Sequence, residues 1–153
     1  MALFRGEGVN RVRQANDAVA TLITATFLTA DGFKVLRNPK GQKAWADAVA
    51  AVVMTDDKDP ETVRVMTGPI YDLSATPEVL IARKGSEADR AEAEWDDVET
   101  LKAALAADVT LGGAVEDARL EGVEGADLDT NTWIGGGLTV RIRLLFAAPT
   151  PAG

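Results

Sequence analysis

The sequence predicts an α+β fold: a mostly antiparallel sheet with two main helices packed on one face. Three observations predict it. Segments 9–29 and 86–107 repeat apolar residues at steps of three and four, as one face of a helix requires. Several shorter segments alternate apolar and polar residues, most regularly 138–147. The order is helix, two strands, a long β region, helix, two strands, which is not the strict βαβ alternation of a parallel sheet. The 153 residues fit one domain, placed at 1–148, followed by a flexible Pro-rich tail at 149–153.

Each element has its own signals. In 9–29, Val12, Ala15, Val19, Leu22, Ile23 and Phe27 share a face, and Asp31-Gly32 supplies a stop. Four threonines weaken the C-terminal end of that helix. "FKVLRN" at 33–38 and "AVAAVVMT" at 48–55 read as short strands, although 41–52 is apolar enough for part of it to be helical. "DDKDPE" at 56–61 is a charged turn. From 62 to 84, "TVRVMT", "IYDLSA" and "EVLIARK" alternate, broken by Gly68-Pro69 and Pro77. Ser86, with Asp89 three residues on, is a good N-cap for 86–107. There Ala91, Trp95, Val98, Leu101 and Leu105 form the expected buried stripe, and the seven acids between 87 and 99 form a solvated face. Gly112 and Gly113 follow this helix, so they read as its termination and a chain reversal, not as a phosphate loop, which would precede a helix. "AVEDARLEGV" at 114–123 is a strand with Ala118 and Leu120 on one side. In 138–147, Leu138, Val140, Ile142, Leu144 and Phe146 line one face.

Composition narrows the chemistry. The chain has no cysteine, which removes disulfides, zinc–thiolate sites and cysteine nucleophiles. It has no histidine, which removes the usual neutral-pH base and the His metal sites. Only carboxylates, Lys, Tyr71 and the hydroxyl residues remain, which lowers the expectation of catalysis. The formal net charge is -8, which opposes binding to nucleic acid phosphates. The charge is uneven: residues 1–43 hold seven basic and three acidic side chains, and the remainder nine and twenty-one. Such polarity suits head-to-tail association of copies. No apolar run is long enough to span a membrane, and the opening residues lack a signal-peptide pattern, so a cytoplasmic product is expected.

The motifs that point to ligands are weak. "GEGVNR" at 6–11 lacks the third glycine and the preceding strand of a nucleotide loop. "DLDTNT" at 127–132 begins like a calcium loop but has Thr132 where glycine is needed and Leu138 where a bidentate glutamate is needed. "WIGGGL" at 133–138 pairs an aromatic anchor, Trp133, with glycines that allow close backbone approach, a loop or a bulge. Arg141 and Arg143 share a strand face and could bind phosphate. Pairing with acids such as Asp117 and Glu121 is the stronger reading. The basic candidates for a protein contact are Arg11, Arg13, Lys40 and Lys43.

Taken together, the helix, "FKVLRNP", "GPIYDLSATPEVLIARKG", "SEADRAEAEWDDVETLKAALAADVTLGGAVEDARLEG" and "GGLTVRIRLLFAAP" resemble a known family. The chain, over residues 10–148, looks like the tail terminator (tail completion) proteins of long-tailed phages and gene transfer agents. These are similar to the lambda U-type minor tail protein. The resemblance implies an α+β fold, a homo-hexameric ring and a place in the virion, at the head-proximal end of the tail. There the ring would stop polymerisation of the tail tube protein and offer a docking surface to the head–tail connector or stopper protein. DNA would pass through the lumen without sequence-specific binding, and the resemblance implies no enzyme activity, cofactor, metal or membrane. Assembly would take place in the host cytoplasm. The resemblance assigns no contact residues; Arg11, Arg13, Lys40, Lys43, Trp133, Arg141 and Arg143 are candidates from the residues alone.

Two other readings remain open at this point. One is a head completion or stopper protein, or another neck component of the head–tail joint. The other is a small enzyme using Ser74, Thr76 or Tyr71 with a carboxylate or Lys84, although nothing in the sequence organises those groups.

Overall fold

A computed structural model describes residues 10–27, 33–40, 48–66, 68, 70–127 and 135–153. Helix α1 (Arg11–Phe27) is followed by β1 (Phe33–Arg37), β2 (Ala50–Thr55), β3 (Glu61–Met66), β4 (Ile70–Ala75) and β5 (Glu78–Lys84). Helix α2 (Glu87–Ala107), β6 (Asp117–Asp127) and β7 (Gly135–Ala148) complete the described elements. The expected α+β class is what the chain adopts: the described residues form two helices and seven strands in one sheet, antiparallel except for β1 on β2.

The longest strand, β7, organises the sheet. One of its sides pairs with β6 over most of its length. The other side pairs first with β5, through Gly135–Arg141, and then with β4, through Leu144–Ala148. Strands β4 and β5 thus lie end to end along β7, separated by Thr76 and Pro77. At the joint the Ile142 amide donates to the Pro77 carbonyl oxygen (3.1 Å), so the β7 ladder is carried across a residue that has no amide of its own to give. Beyond them, β3 pairs with β4, and β2 with β5. Among the described residues the free edges are therefore β6 on one side and β3 and β1 on the other.

One sheet face carries the core. Val52, Met54, Leu73, Val79, Ile81 and the expected row Leu138, Val140, Ile142, Leu144 and Phe146 bury against Val12, Ala15, Val19, Ile23 and Phe27 of α1 and Val98, Leu101 and Leu105 of α2. Burial of a side chain of this size contributes roughly 1.5–3 kcal/mol, which is what holds two helices of ordinary propensity on the sheet. A smaller cluster, Ala51, Val53 and Ala82 with Leu36 and Leu80, lies on the opposite face.

Polar contacts fix the joints. Asn16 is buried in α1. It donates to the carbonyl oxygens of Val12 and Asp57 (both 2.9 Å) and accepts the Asp57 amide (3.2 Å). The Asp57 carboxylate in turn accepts the Thr76 amide (2.8 Å), so one asparagine ties the 56–60 turn to the β4–β5 joint. Ser86 caps α2 as expected: its hydroxyl accepts the Asp89 amide (3.3 Å) and donates to the Asp89 carboxylate (2.8 Å). The 149–153 segment, expected to be flexible, lies against the start of α1. There the Arg11 amide donates to the Gly153 carbonyl oxygen (3.2 Å) and the Asn10 side chain to that of Ala152 (3.0 Å).

Three expectations need correction. Helix α2 ends at Ala107 with Asp108 as its C-cap, four residues before the glycine pair. Gly112 and Gly113, at φ of +69° and +93°, form the left-handed turn that follows; the Asp108 carboxylate holds it by accepting the Gly112 amide (3.0 Å). The strand after it runs from Asp117 to Asp127, not 114–123. Trp95, expected in the buried stripe of α2, is 54% exposed. Glu94 and Asp97 turn inward in its place. Of the ambiguous 41–52 segment, 50–52 belongs to β2. Residues 41–47 lie outside the described residues.

Candidate interaction surfaces

Inward rotation of α2 has an electrostatic cause. Arg83 stands on the helix-covered face of β5, over the Phe33 ring at 5.0 Å. Its guanidinium makes a two-pronged pair with the Asp97 carboxylate, Nε to Oδ2 at 2.7 Å and Nη2 to Oδ1 at 3.0 Å. One turn earlier, Glu94 is drawn toward Arg90 on its own helix (3.6 Å). Burial pushes the Glu94 carboxyl above its ordinary pKa, against the opposing effect of Arg90 and Arg83. With two acids and Arg90 directed inward, the neighbouring Trp95 is left facing out among Glu92, Asp96 and Glu99, all exposed.

The basic candidates on α1 are exposed. Arg11 donates to the Gln14 side chain (3.2 Å), and neither Arg11 nor Arg13 has a carboxylate within ion-pair distance among the described residues. Arg13 borders a cleft of about 560 Å³ with Asp17, Arg37, Asp56 and Lys58. The centre of this cleft is already satisfied: Arg37 contacts both Asp17 (2.7 Å) and Asp56 (2.7 Å). Burial would raise the Asp56 carboxyl, but the hydrogen bond and charge of Arg37 overcome it and hold the group below the usual carboxylate range. With Arg37 occupied by two acids, the cleft is not an anion cradle. Lys40 is exposed beyond β1. Lys43 and Trp133 lie outside the described residues, as do Gly6–Val9 and most of the 127–132 calcium-like run.

Arg141 and Arg143 do share the outer face of β7, but each is engaged separately. Arg141 pairs with Glu124 (3.3 Å) and lies across Gly122, where an added Cβ would come within 2.8 Å of its Nη2. Arg143 donates to the Ser74 hydroxyl (3.3 Å). The expected acid partners are corrected: Glu124 replaces Glu121, and Asp117 is held by Arg119 (2.6 Å) on its own strand. Ser74 is thereby a buried hydroxyl beside an arginine, with no base reaching it among the described residues.

The structure also brings out surfaces that the sequence reading missed. Val63, Val65, Met66 and Ile70 of the β3–β4 hairpin are 52%, 62%, 39% and 45% exposed. All six residues of β3 are exposed. The signal was present in "TVRVMTGPIY", where apolar residues occupy both alternating positions and so cannot all face one core. Among the described residues, no group of acids could hold a metal ion and no helix is long and apolar enough to cross a membrane. No protein-family model matches the chain, and no curated protein matches it significantly.

Proposed function

We propose that the chain is a virion structural protein: a tail terminator subunit that closes into a hexameric ring, caps the tail tube, stops its polymerisation and presents a surface to the head connector. The observation that carries this reading is the pairing of unlike surfaces on one small chain. The start of α1 exposes Arg11 and Arg13 without acid partners among the described residues, and α2 exposes Trp95 in an acidic setting. An exposed tryptophan ringed by charge is the composition of a protein contact. Two different patches on each copy are what a heterologous, ring-closing contact requires. The resemblance of 10–148 to tail terminators supplies the rest of the reading, and the α+β fold agrees with that family's expected fold.

Charge reversal tests the electrostatic part. In the pair Arg11→Glu and Arg13→Glu, or in Lys40→Glu and Lys43→Glu, ring assembly followed by mass photometry should weaken more at low salt than at high salt, because screening removes the attraction that the substitutions invert. Glutamates in the first turn of α1 complement the helix dipole, so the first pair should leave the monomer's melting temperature intact. Equal assembly of variant and parent at both salt concentrations would remove charge from the account.

A further inference from the structure

The lower half of the sheet has the order β6, β7, β4, β3, so its two free edges belong to different strands. Each neighbouring pair in that run is antiparallel, which makes β3 antiparallel to β6. A second copy placed by continuing the sheet would therefore set its β6 against β3 in the antiparallel sense, the more stable of the two pairings per residue. Neither β3 nor β6 contains a proline that would deny the edge a donor.

The side chains on these edges match as well. Beside β6 lies a cleft of about 330 Å³ lined by Lys102, Leu105, Ala106 and Val109 and by residues 117–120 of β6, among them the charged Asp117 and Arg119. Its lining is mainly apolar, and Val109 is 43% exposed. On β3, Val65 is opposite Tyr71, which packs on the main core, so Val65 stands on the helix-covered side of the sheet beyond the reach of the helices. It is 62% exposed. Continuation of the sheet would bring this unburied valine over the neighbour's unfilled apolar cleft. The bulge between Leu120 and Gly122 divides the β6 edge and leaves Asp117–Leu120, the part beside the cleft, as the pairing stretch.

We infer that neighbouring copies join by strand addition, β3 of one copy to β6 of the next, with Val65 seated in the cleft between α2 and β6. This rests on the ring reading and names its contact. The occupant is a second copy because arm and cleft occur on the same chain at opposite edges, an arrangement that propagates head to tail.

The absence of native cysteine makes a direct test simple. Val65→Cys and Val109→Cys are both at exposed positions. The double variant, treated with a short bismaleimide, should give a ladder of covalent species reaching six chains on a denaturing gel, while each single variant stays monomeric. Val65→Lys should weaken assembly by roughly tenfold or more, as expected for losing a buried anchor and placing a charge on the edge. If the parent assembles but the double variant gives no ladder and Val65→Lys assembles normally, strand addition is wrong and the ring reading survives with other contacts. If the parent forms no assembly alone or on tail tubes, the ring reading is wrong, and this inference goes with it.

Discussion

Gly137→Val should lower the melting temperature by roughly 10 °C or prevent folding, the largest effect expected of any substitution outside the apolar core. The cause is local. In β7, Gly137 is paired with Ala82 of β5, and a Cβ added at Gly137 would collide with the Ile81 carbonyl oxygen while sitting 3.0 Å from the Ala82 Cα. Gly135 repeats the situation two residues earlier against the Arg83 carbonyl oxygen. The obstructing atoms are backbone, held in a ladder, and cannot rotate away as a flexible side chain would. Overpacking of this kind costs about 3 kcal/mol or more. For a chain of this size each kcal/mol moves the midpoint by roughly 2–4 °C. The sequence reading allowed "WIGGGL" either close backbone approach or a flexible loop; at Gly135 and Gly137 the close approach is to β5 of the same chain. Thermal unfolding followed by circular dichroism checks this. A parent-like melt for Gly137→Val would mean that β5 and β7 are not so closely set.

Asp97→Ala comes next, at about 2–3 kcal/mol, with a fall of roughly 5–8 °C in melting temperature. Arg83 and Asp97 are 28% and 11% exposed as side chains, so water screens the pair only in part. Removing the carboxylate strands a half-buried guanidinium beneath α2, and most of the loss is that unpaired charge. A companion variant combines Arg83→Met with Asp97→Leu. Replacing both charges with apolar groups should recover most of the stability lost in Asp97→Ala, since a buried pair contributes little beyond an apolar equivalent. A double variant no more stable than Asp97→Ala would show that apolar side chains cannot stand in for the pair beneath α2.

This same pair explains what the sequence concealed. The position and start of α2 were legible because Ser86, Asp89 and the apolar spacing are local signals. Its rotation was not. Counting apolar residues puts Trp95 inside, whereas the partner that draws Asp97 inward is Arg83, fourteen residues earlier on a strand. No periodicity encodes that meeting. Likewise β7 was plain from its unbroken alternation, but its division between β5 and β4 depends on the Pro77 joint and on pairing over some sixty residues. The parallel placement of β1 on β2 depends on the connection over 38–49, where the apolar residues of 41–52 suited helix and strand alike and 41–47 lie outside the described residues. The candidate residues fared similarly. Exposure of Arg11, Arg13 and Lys40 follows from composition. The engagement of Arg141 with Glu124 depends on the β6–β7 register after the bulge in β6, and that of Arg143 with Ser74 on the β4–β7 register. The exposed β3 edge was written in the sequence, as apolar residues on both faces of one strand, and only the sheet order reveals that nothing in the described chain covers it.

Tail length tests the central claim most directly. Tail tubes assembled without this chain should overgrow, and adding the purified protein should halt their growth and leave a ring at the tube end, both visible by electron microscopy. Tubes of normal length in its absence, with heads that leak DNA, would contradict the tail terminator account and assign the chain to the head side of the joint.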